Sequence, residues 1–417
     1  MTYPLNTLKS SPKLSIVDIL GISLIIVSGI LTLFPSFLDF NHELIPLVIG
    51  ISILLVKNGR KEPILIAYLC LLLLSMRIYL HSDERYLGWE ITLSDYIMIV
   101  IAFSAFYKMA ASLWTYFFTF YALAMPLAGI VALHLFLISQ SEESFQAAAL
   151  SINQTAFLFG GCLTISSSFL LCEVYSVRAR ARRVSVIILW TLSTLLSSIL
   201  VLNTQSRAAI GLPVISIAVV LFACMRSRSV DFNNRLNSLL NKAKNIFGRY
   251  SAYIVVIVLA LSALAAMLTA IYSNRENMVN DMHRLHLLKC YFGALFNGNN
   301  SFIYGLGFTR ASQGICKDIG LIKGTTHAHN VFAQVAADNG FPALLMICII
   351  GFLLIRLACN QIPYSSHPAV LASLTLSLYC FLFLLIEGGW GKVSFIQSLL
   401  GLSFASLTMK LSPQVKC

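Results

Sequence analysis

Long apolar runs separated by short polar connections dominate the chain. Each run is close to the ~20 residues that a helix needs to cross the hydrocarbon layer, and none alternates like a membrane barrel strand. Lipid offers an open backbone no hydrogen-bond partner, so these runs are expected to be helices. The pattern predicts an all-α, polytopic membrane protein with about twelve spans, at 15–36, 43–57, 63–82, 92–109, 112–138, 155–176, 184–202, 207–225, 252–272, 340–358, 368–386 and 393–410.

Composition supports a membrane protein. Hydrophobic residues make up 58% of the chain and charged residues only 11%, a profile that excludes an ordinary soluble core. The first apolar run is too long for the core of a signal peptide and is followed by no small-residue cleavage site. We therefore expect it to remain in the protein as a signal anchor.

Lys and Arg are concentrated in every second connection between the runs, whereas the alternate connections are acidic or neutral. The positive-inside rule then places both termini in the cytoplasm, in agreement with an even number of spans. This bias accounts for most of the formal net charge of +12. The stretch VRARARR at 177–183 is accordingly interpreted as a topology anchor at anionic lipid, and no nucleic-acid partner is expected.

The longest polar segment on the outer side of this topology is the loop at 273–328, and such loops are where a membrane enzyme can keep its chemistry. It contains Cys290 and Cys316, which only an oxidising compartment would allow to pair, and the sequence leaves that disulfide open. We divide the chain into the first nine spans (1–272), a periplasmic loop with short helices (273–339), and three further spans with a cytoplasmic tail (340–417).

The loop ends in TTHAHNVFAQVAADNG, residues 325–340, where His327, His329 and Asn330 stand together in a chain that has few polar groups. The pattern predicts a short helix that begins after these residues and breaks at Asn339, Gly340 and Pro342. Alanines at steps of three and four residues from His329 give this helix a face that another helix or a lipid can approach closely. A histidine at such a helix end is either a cap or interfacial residue, or a general base.

Two arginines lie on the same predicted side. Arg207, in TQSRAA, stands at the start of the eighth span, where a helix N-terminus capped by Thr204 or Ser206 and the small alanines that follow suit a phosphate group. Its alternative role is to extend towards lipid headgroups. Arg284 shares a predicted helix face with Leu287, Leu288 and Tyr291, where a charge needs an anionic partner: either a substrate or a structural salt bridge.

Together these stretches resemble the O-antigen ligases, within the wider group of ligase-like and polymerase-like membrane glycosyltransferases. The resemblance rests on TQSRAA, on HRLHLLKCYFGALF leading through FIYGLGF, and on the HN pair at 329–330 followed by nine residues and Gly340. The family motif typically has Gly, Thr or Tyr where this chain has Ala343. This departure weakens the choice of a ligase over a polymerase more than it weakens the resemblance to the family.

The resemblance implies a membrane-embedded glycosyltransferase fold of the GT-C-like type in the bacterial inner membrane. It also implies transfer of an O-antigen chain from undecaprenyl pyrophosphate to a sugar hydroxyl of the lipid A core at the periplasmic face, with inversion and without a metal or cofactor. In this chain His329 would be the base, Arg207 and Arg284 would hold the pyrophosphate, and His327 and Asn330 would orient His329 or the sugar.

Three alternatives remain open at this stage. An O-antigen polymerase or a ligase with a protein acceptor would use a similar base and similar arginines, and would differ only in the acceptor. A transporter or flippase would also be polytopic and basic. It would, however, place ionisable groups near the bilayer midplane and repeat its halves, and Arg77, Asp95 and Glu173 all lie near span ends instead.

Overall fold

The structure, a computed structural model, describes residues 15–34, 44–58, 89–139, 152–175, 180–204, 206–227, 274–297, 301–306, 315–316, 328, 330–386 and 394–411. Within these ranges the regular elements are helices, apart from an isolated bridge between Ala110 and Lys410. The predicted all-α fold is confirmed for them. The helices are α1 (Ile16–Leu31), α2 (Leu44–Asn58), α3 (Trp89–Phe106), α4 (Ala111–Ser139), α5 (Ile152–Tyr175), α6 (Arg180–Asn203), α7 (Arg207–Ser227), α8 (Asn274–Ala294), α9 (Ser301–Tyr304), α10 (Val331–Gln361), α11 (Pro368–Ile386) and α12 (Ser394–Ser406).

Ten of the twelve predicted spans fall on described helices, whereas those at 63–82 and 252–272 lie outside the described residues. By length and composition, five described helical segments can cross a membrane. They are Ala111–Ile138, Ile152–Val174, Val184–Asn203, Val331–Tyr364 and Pro368–Ile386. Several long apolar helices thus indicate a membrane protein. The total of twelve spans and the GT-C-like architecture stay predictions.

Helices α5 and α11 run antiparallel through the centre of the bundle. The Tyr379 hydroxyl donates a hydrogen bond to the carbonyl of Phe157 at 3.1 Å, and the hydroxyls of Ser168 and Thr375 share one at 2.7 Å. Residue numbers therefore rise along α5 as they fall along α11. Small hydroxyl residues let two helices approach closely and join them where no water is present.

Helix α6 packs antiparallel to α5 in the same way. The Thr194 hydroxyl donates to the Ser166 hydroxyl at 3.2 Å, and the rings of Phe169 and Trp190 lie 4.6 Å apart between centroids. The end of α6 consequently lies at the same end of the bundle as the start of α5 and the end of α11. The turn between α6 and α7 is therefore also at that end.

Connections that the charge pattern assigns to the cytoplasm meet at the opposite end. The backbone N–H of Lys108 donates to the Thr408 hydroxyl at 2.8 Å, which brings the turn after α3 to the end of α12. The side chain of Gln361, the last residue of α10, donates to the carbonyl of Leu407 at 3.2 Å. The turn after α3, the end of α10 and the end of α12, which the charge pattern places in the cytoplasm, thus lie side by side.

Large apolar side chains are exposed on the outward faces of several helices. Phe222 and Phe352 are each 65% exposed, and Val56 is 91% exposed. Such side chains would be unfavourable in water and are suited to contact with lipid. The outer surface is therefore that of a membrane protein.

Candidate active site

Asn330 caps the start of α10 and fixes it to α11. Its side-chain oxygen accepts a hydrogen bond from the N–H of Ala333 at 3.0 Å, which satisfies one of the unpaired donors of the first turn. Its side-chain nitrogen donates to the carbonyl of Leu385, near the end of α11, at 2.8 Å. The start of α10 is therefore held at the same end of the bundle as the turn between α6 and α7.

Gln334 joins the first turn of α10 to the residue that precedes His329. Its Oε1 accepts a hydrogen bond from the N–H of Ala328 at 2.9 Å, and its Nε2 donates to Oδ2 of Asp338 at 2.5 Å. Ala328 and Asp338 are each 2% exposed. Ala328 is thus held by the Gln334 side chain, and Asn330 by its own hydrogen bonds to Ala333 and Leu385. These two are the described residues on either side of His329.

The first turns of α10 are separated from its apolar part by a break at Gly340. This glycine has φ 81° and ψ −178°, a backbone conformation that is essentially restricted to glycine. Gly305, at φ 73°, packs its backbone against Asp338, and the N–H of Leu306 donates to the carbonyl of Ala337 at 2.8 Å. The predicted break is confirmed at Gly340, and the turn after α9 docks directly onto it.

The helix face that carries Arg284 packs onto the short first part of α10. His286 and Lys289, on the other arc of α8, are exposed, whereas Arg284 is half-buried. The predicted division of α8 into two faces is therefore confirmed. The buried cluster between the two helices consists of Leu287, Tyr291, Ala294, Cys316, Ala328, Ala333 and Ala337.

A disulfide joins Cys290 of α8 to Cys316 of the long loop. Cys316 is 3% exposed and belongs to the same buried cluster as Ala328. The bond therefore ties the loop to the helix face that contacts α10. The sequence does not decide whether these two cysteines pair, and the structure shows that they do.

An apolar cavity of about 690 Å³ runs beside α10. Val331 and Phe332 line it next to the Asn330 cap, whereas Lys108 and Arg356 line it near the opposite end of the bundle. Most of the other lining side chains are aliphatic or aromatic residues of α3, α10, α11 and α12. The cavity therefore extends from the start of α10 through the apolar layer.

Residues 192–348 match the family model described as O-antigen ligase. This range begins within α6 and ends inside α10, and it contains every residue that the sequence singled out for the site. Residues 192–348 are therefore similar to the O-antigen ligases. No curated protein matches the chain.

Within the matched range, the described candidate residues come to one end of the bundle. Arg207 is the first residue of α7 and directly follows the turn after α6. Arg284 lies on the helix that packs against the start of α10, and Asn330 caps that start. His327, His329 and the side chain of Arg207 lie outside the described residues, so their place in a common pocket stays a prediction.

The surroundings of Arg207 differ in part from the sequence expectation. The Thr204 hydroxyl donates to the carbonyl of Val201 at 2.7 Å and accepts from the N–H of Ser206 at 3.4 Å, so it closes α6 and does not cap α7. Ser206 does occupy the position before α7. Ala209 is fully buried in the hydrophobic core, where it makes room for helix packing and not for an anion.

Three residues of the matched range that shape the candidate site were not predicted from the sequence. The sequence marks Gly305 only as part of FIYGLGF and assigns no role to Gln334 or Asp338. A signal was present, because a glutamine and an aspartate four residues apart on a helix of alanines share one face. Their partners could not be inferred, since Ala328 precedes the helix and Gly305 lies far from Asp338 in sequence.

Replacement of Gly340 by alanine tests the break in α10. An added Cβ would lie 2.5 Å from the carbonyl oxygen of Ile303, in a backbone conformation that costs a non-glycine residue about 1–3 kcal/mol. We expect Gly340→Ala to lower the thermal unfolding midpoint of the purified protein. The matched control is Gly293→Ala in α8, where an added Cβ meets no atom of another described segment within 4 Å and stability is expected to be unchanged or higher. Equal midpoints for wild type and Gly340→Ala would contradict the strained geometry.

Proposed function

We propose that this protein is an O-antigen ligase that transfers a polysaccharide from undecaprenyl pyrophosphate to a sugar hydroxyl of the lipid A core. The reaction takes place at the periplasmic face of the bacterial inner membrane, and both termini are cytoplasmic. The observation that carries the proposal is the packing of the Arg284 face of α8 onto the helix that begins at the HN pair, within the matched ligase domain. This packing joins two of the stretches on which the family resemblance rests.

In the proposed reaction, the acceptor hydroxyl attacks the anomeric carbon of the donor sugar from the side opposite the pyrophosphate. A new glycosidic bond forms, the bond from the anomeric carbon to the phosphate oxygen breaks, and the configuration inverts. His329 accepts the proton of the hydroxyl, for which a neutral imidazole is suited near pH 7. His327 and Asn330 orient the base or the sugar, and the lipid pyrophosphate leaves with the bonding electron pair.

Arg207 and Arg284 hold the pyrophosphate in this mechanism. A guanidinium group can donate two parallel hydrogen bonds to phosphate oxygens and stabilise the negative charge that develops as the bond breaks. The proposed reaction is metal-independent because two fixed cations can perform this electrostatic role. It also needs no nucleotide cofactor, because the donor is already activated as a pyrophosphate ester.

Two features support the proposed location and substrates. The Cys290–Cys316 disulfide favours an oxidising compartment for the loop, as expected of the periplasm. The apolar cavity beside α10 starts next to the Asn330 cap and is suited to the hydrocarbon part of a lipid-linked substrate. The family match also favours an enzyme over the transporter alternative.

An O-antigen polymerase, or a ligase that acts on a protein acceptor, is the second candidate function. The feature that favours it is Ala343, at a position where the ligase motif has Gly, Thr or Tyr. The donor, the base and the arginines would be the same in each case. Only the molecule that supplies the acceptor hydroxyl would differ.

Complementation of two bacterial strains decides between these functions. We expect the gene to restore full-length lipopolysaccharide in a ligase-null strain that makes a compatible O-antigen, and to restore nothing in a polymerase-null strain. The measurement is the ladder of lipopolysaccharide on a gel, with protein insertion verified by membrane fractionation. Restoration in the polymerase-null strain alone would replace the ligase assignment by a polymerase.

A further inference from the structure

The strongest unexplained polar feature in the described residues is the chain of hydrogen bonds from Asp338 through Gln334 to Ala328. Asp338 is 2% exposed, and in the described part of the chain its Oδ1 has no hydrogen-bond partner. Burial of a carboxyl group is costly unless its oxygens are paired. A fold that needed only packing at this position could use an apolar side chain, so a more specific role is indicated.

The geometry shows what the carboxyl group does. Gln334 can accept the N–H of Ala328 only when its amide oxygen points towards that N–H, and a flipped amide would set a donor against a donor. The Asp338 carboxylate accepts the amide hydrogen of Gln334 and so selects the productive orientation. Asp338 is itself held where the backbone of Gly305 packs against the break at Gly340.

The network reaches the backbone immediately before His329. On the other side of this histidine, Asn330 is fixed by its bonds to Ala333 and Leu385. With Gln334 in place, the residues on both sides of His329 are held by the buried part of the fold. If Gln334 lost its orientation, only the Asn330 side would remain held.

We propose that Gln334 and Asp338 are positioning residues for the reaction, which hold the backbone on the Ala328 side of His329 in the geometry that proton transfer requires. This role rests on the proposed function, in which His329 is the base. Neither residue touches the reacting atoms. Asp338 acts through Gln334, and Gln334 acts through the backbone of Ala328.

The test uses side chains of similar size that differ in hydrogen bonding. Gln334→Met and Asp338→Leu each remove one partner, Asp338→Asn keeps an acceptor oxygen for Gln334, and the double variant Gln334→Met/Asp338→Leu replaces both partners by apolar groups. Gln334→Met leaves both the Ala328 N–H and the Asp338 carboxyl group without their partner, whereas the double variant leaves only the Ala328 N–H unpaired and should be the more stable of the two. Stability and positioning can therefore be separated in the full-length protein in nanodiscs.

We expect each single apolar variant and the double variant to reduce kcat about 10²-fold, as displacement of a reacting group by about 1 Å does, with little change in KM for the donor. The losses should not add, because both residues act through the same hydrogen bond. Asp338→Asn should retain most of the activity. The control is Asn339→Ala, a half-buried neighbour outside the network, which should keep wild-type turnover.

Hydrogen exchange supplies a readout that needs no substrate. In peptides that contain Ala328, exchange should be about fivefold faster in every variant that loses turnover, since the Ala328 N–H loses a fixed acceptor, and unchanged in Asp338→Asn and Asn339→Ala. Recovery of kcat in the double variant together with thermal stability would show a merely structural role and overturn the proposal. Unchanged exchange at Ala328 in Gln334→Met would overturn it too. A wild-type protein without transferase activity would instead refute the proposed function, and exchange would still decide whether the network holds this backbone.

Discussion

His329→Ala protein is expected to insert into the membrane at the wild-type level and to transfer O-antigen about 10²–10⁴-fold more slowly, the usual effect of removing a general base. Without the imidazole, the proton of the acceptor hydroxyl must pass to water as the new bond forms. The measurement is the lipopolysaccharide ladder in a ligase-null strain, followed by initial rates with purified protein.

The matched control for this variant is His286→Ala. His286 belongs to the same polar segment but lies on the exposed face of α8, away from the contact with α10. We expect it to give wild-type ladders. Wild-type ladders from His329→Ala would show that this imidazole is not the base.

Arg284→Ala should also be inserted and inactive, with a loss of about 10²–10³-fold, comparable to the removal of one preorganised donor from a site of developing negative charge. Arg284 is half-buried and shares its helix face with Leu287 and Tyr291, which hold that face against α10. Arg284→Lys keeps the charge but loses the two parallel hydrogen bonds, so an intermediate rate is expected.

Lys289→Ala separates this effect from a general loss of positive charge. Lys289 is exposed on the opposite arc of α8, so its removal should leave the rate unchanged. If Arg284→Ala were as active as Lys289→Ala, Arg284 would not bind the pyrophosphate. If it instead lowered the unfolding midpoint by as much as Gly340→Ala, its role would be structural.

Features of the chain that depend on local periodicity could be predicted from the sequence. Apolar runs placed the helices to within a few residues in the described ranges, because span length is set by the thickness of the hydrocarbon layer. The spacing of Arg284, Leu287 and Tyr291 predicted the face of α8 that packs inward, since residues three and four apart share a face. Gly340 and Pro342 predicted the break in α10 through their backbone preferences.

Features that depend on contacts between distant segments could not be predicted. The Cys290–Cys316 disulfide needs the loop to fold back on α8, and no spacing rule specifies that. The contact between Gly305 and the break at Gly340 is likewise a product of tertiary packing. Thr204 offered a plausible cap for α7 by position alone, but its hydroxyl closes the preceding helix.

The two parts of α10 explain how one helix serves both site and membrane. Before Gly340 its alanines pack against α8, and its polar side chains form the Asn330 cap and the bonds to Gln334. Beyond Gly340 it is apolar and largely exposed on its outward side, as Phe352 illustrates. The break between the parts lets the first turns hold Asn330 at the end of the bundle while the rest of the helix extends through the apolar layer.

The most direct test of the central claim is transfer by purified protein in nanodiscs that contain undecaprenyl-pyrophosphate-linked O-antigen and lipid A core, with EDTA present. We predict a lipopolysaccharide product with inverted anomeric configuration, formed at the same rate with and without EDTA and abolished by His329→Ala. Failure to modify lipid A core, a requirement for a divalent metal, or full activity of His329→Ala would contradict the account.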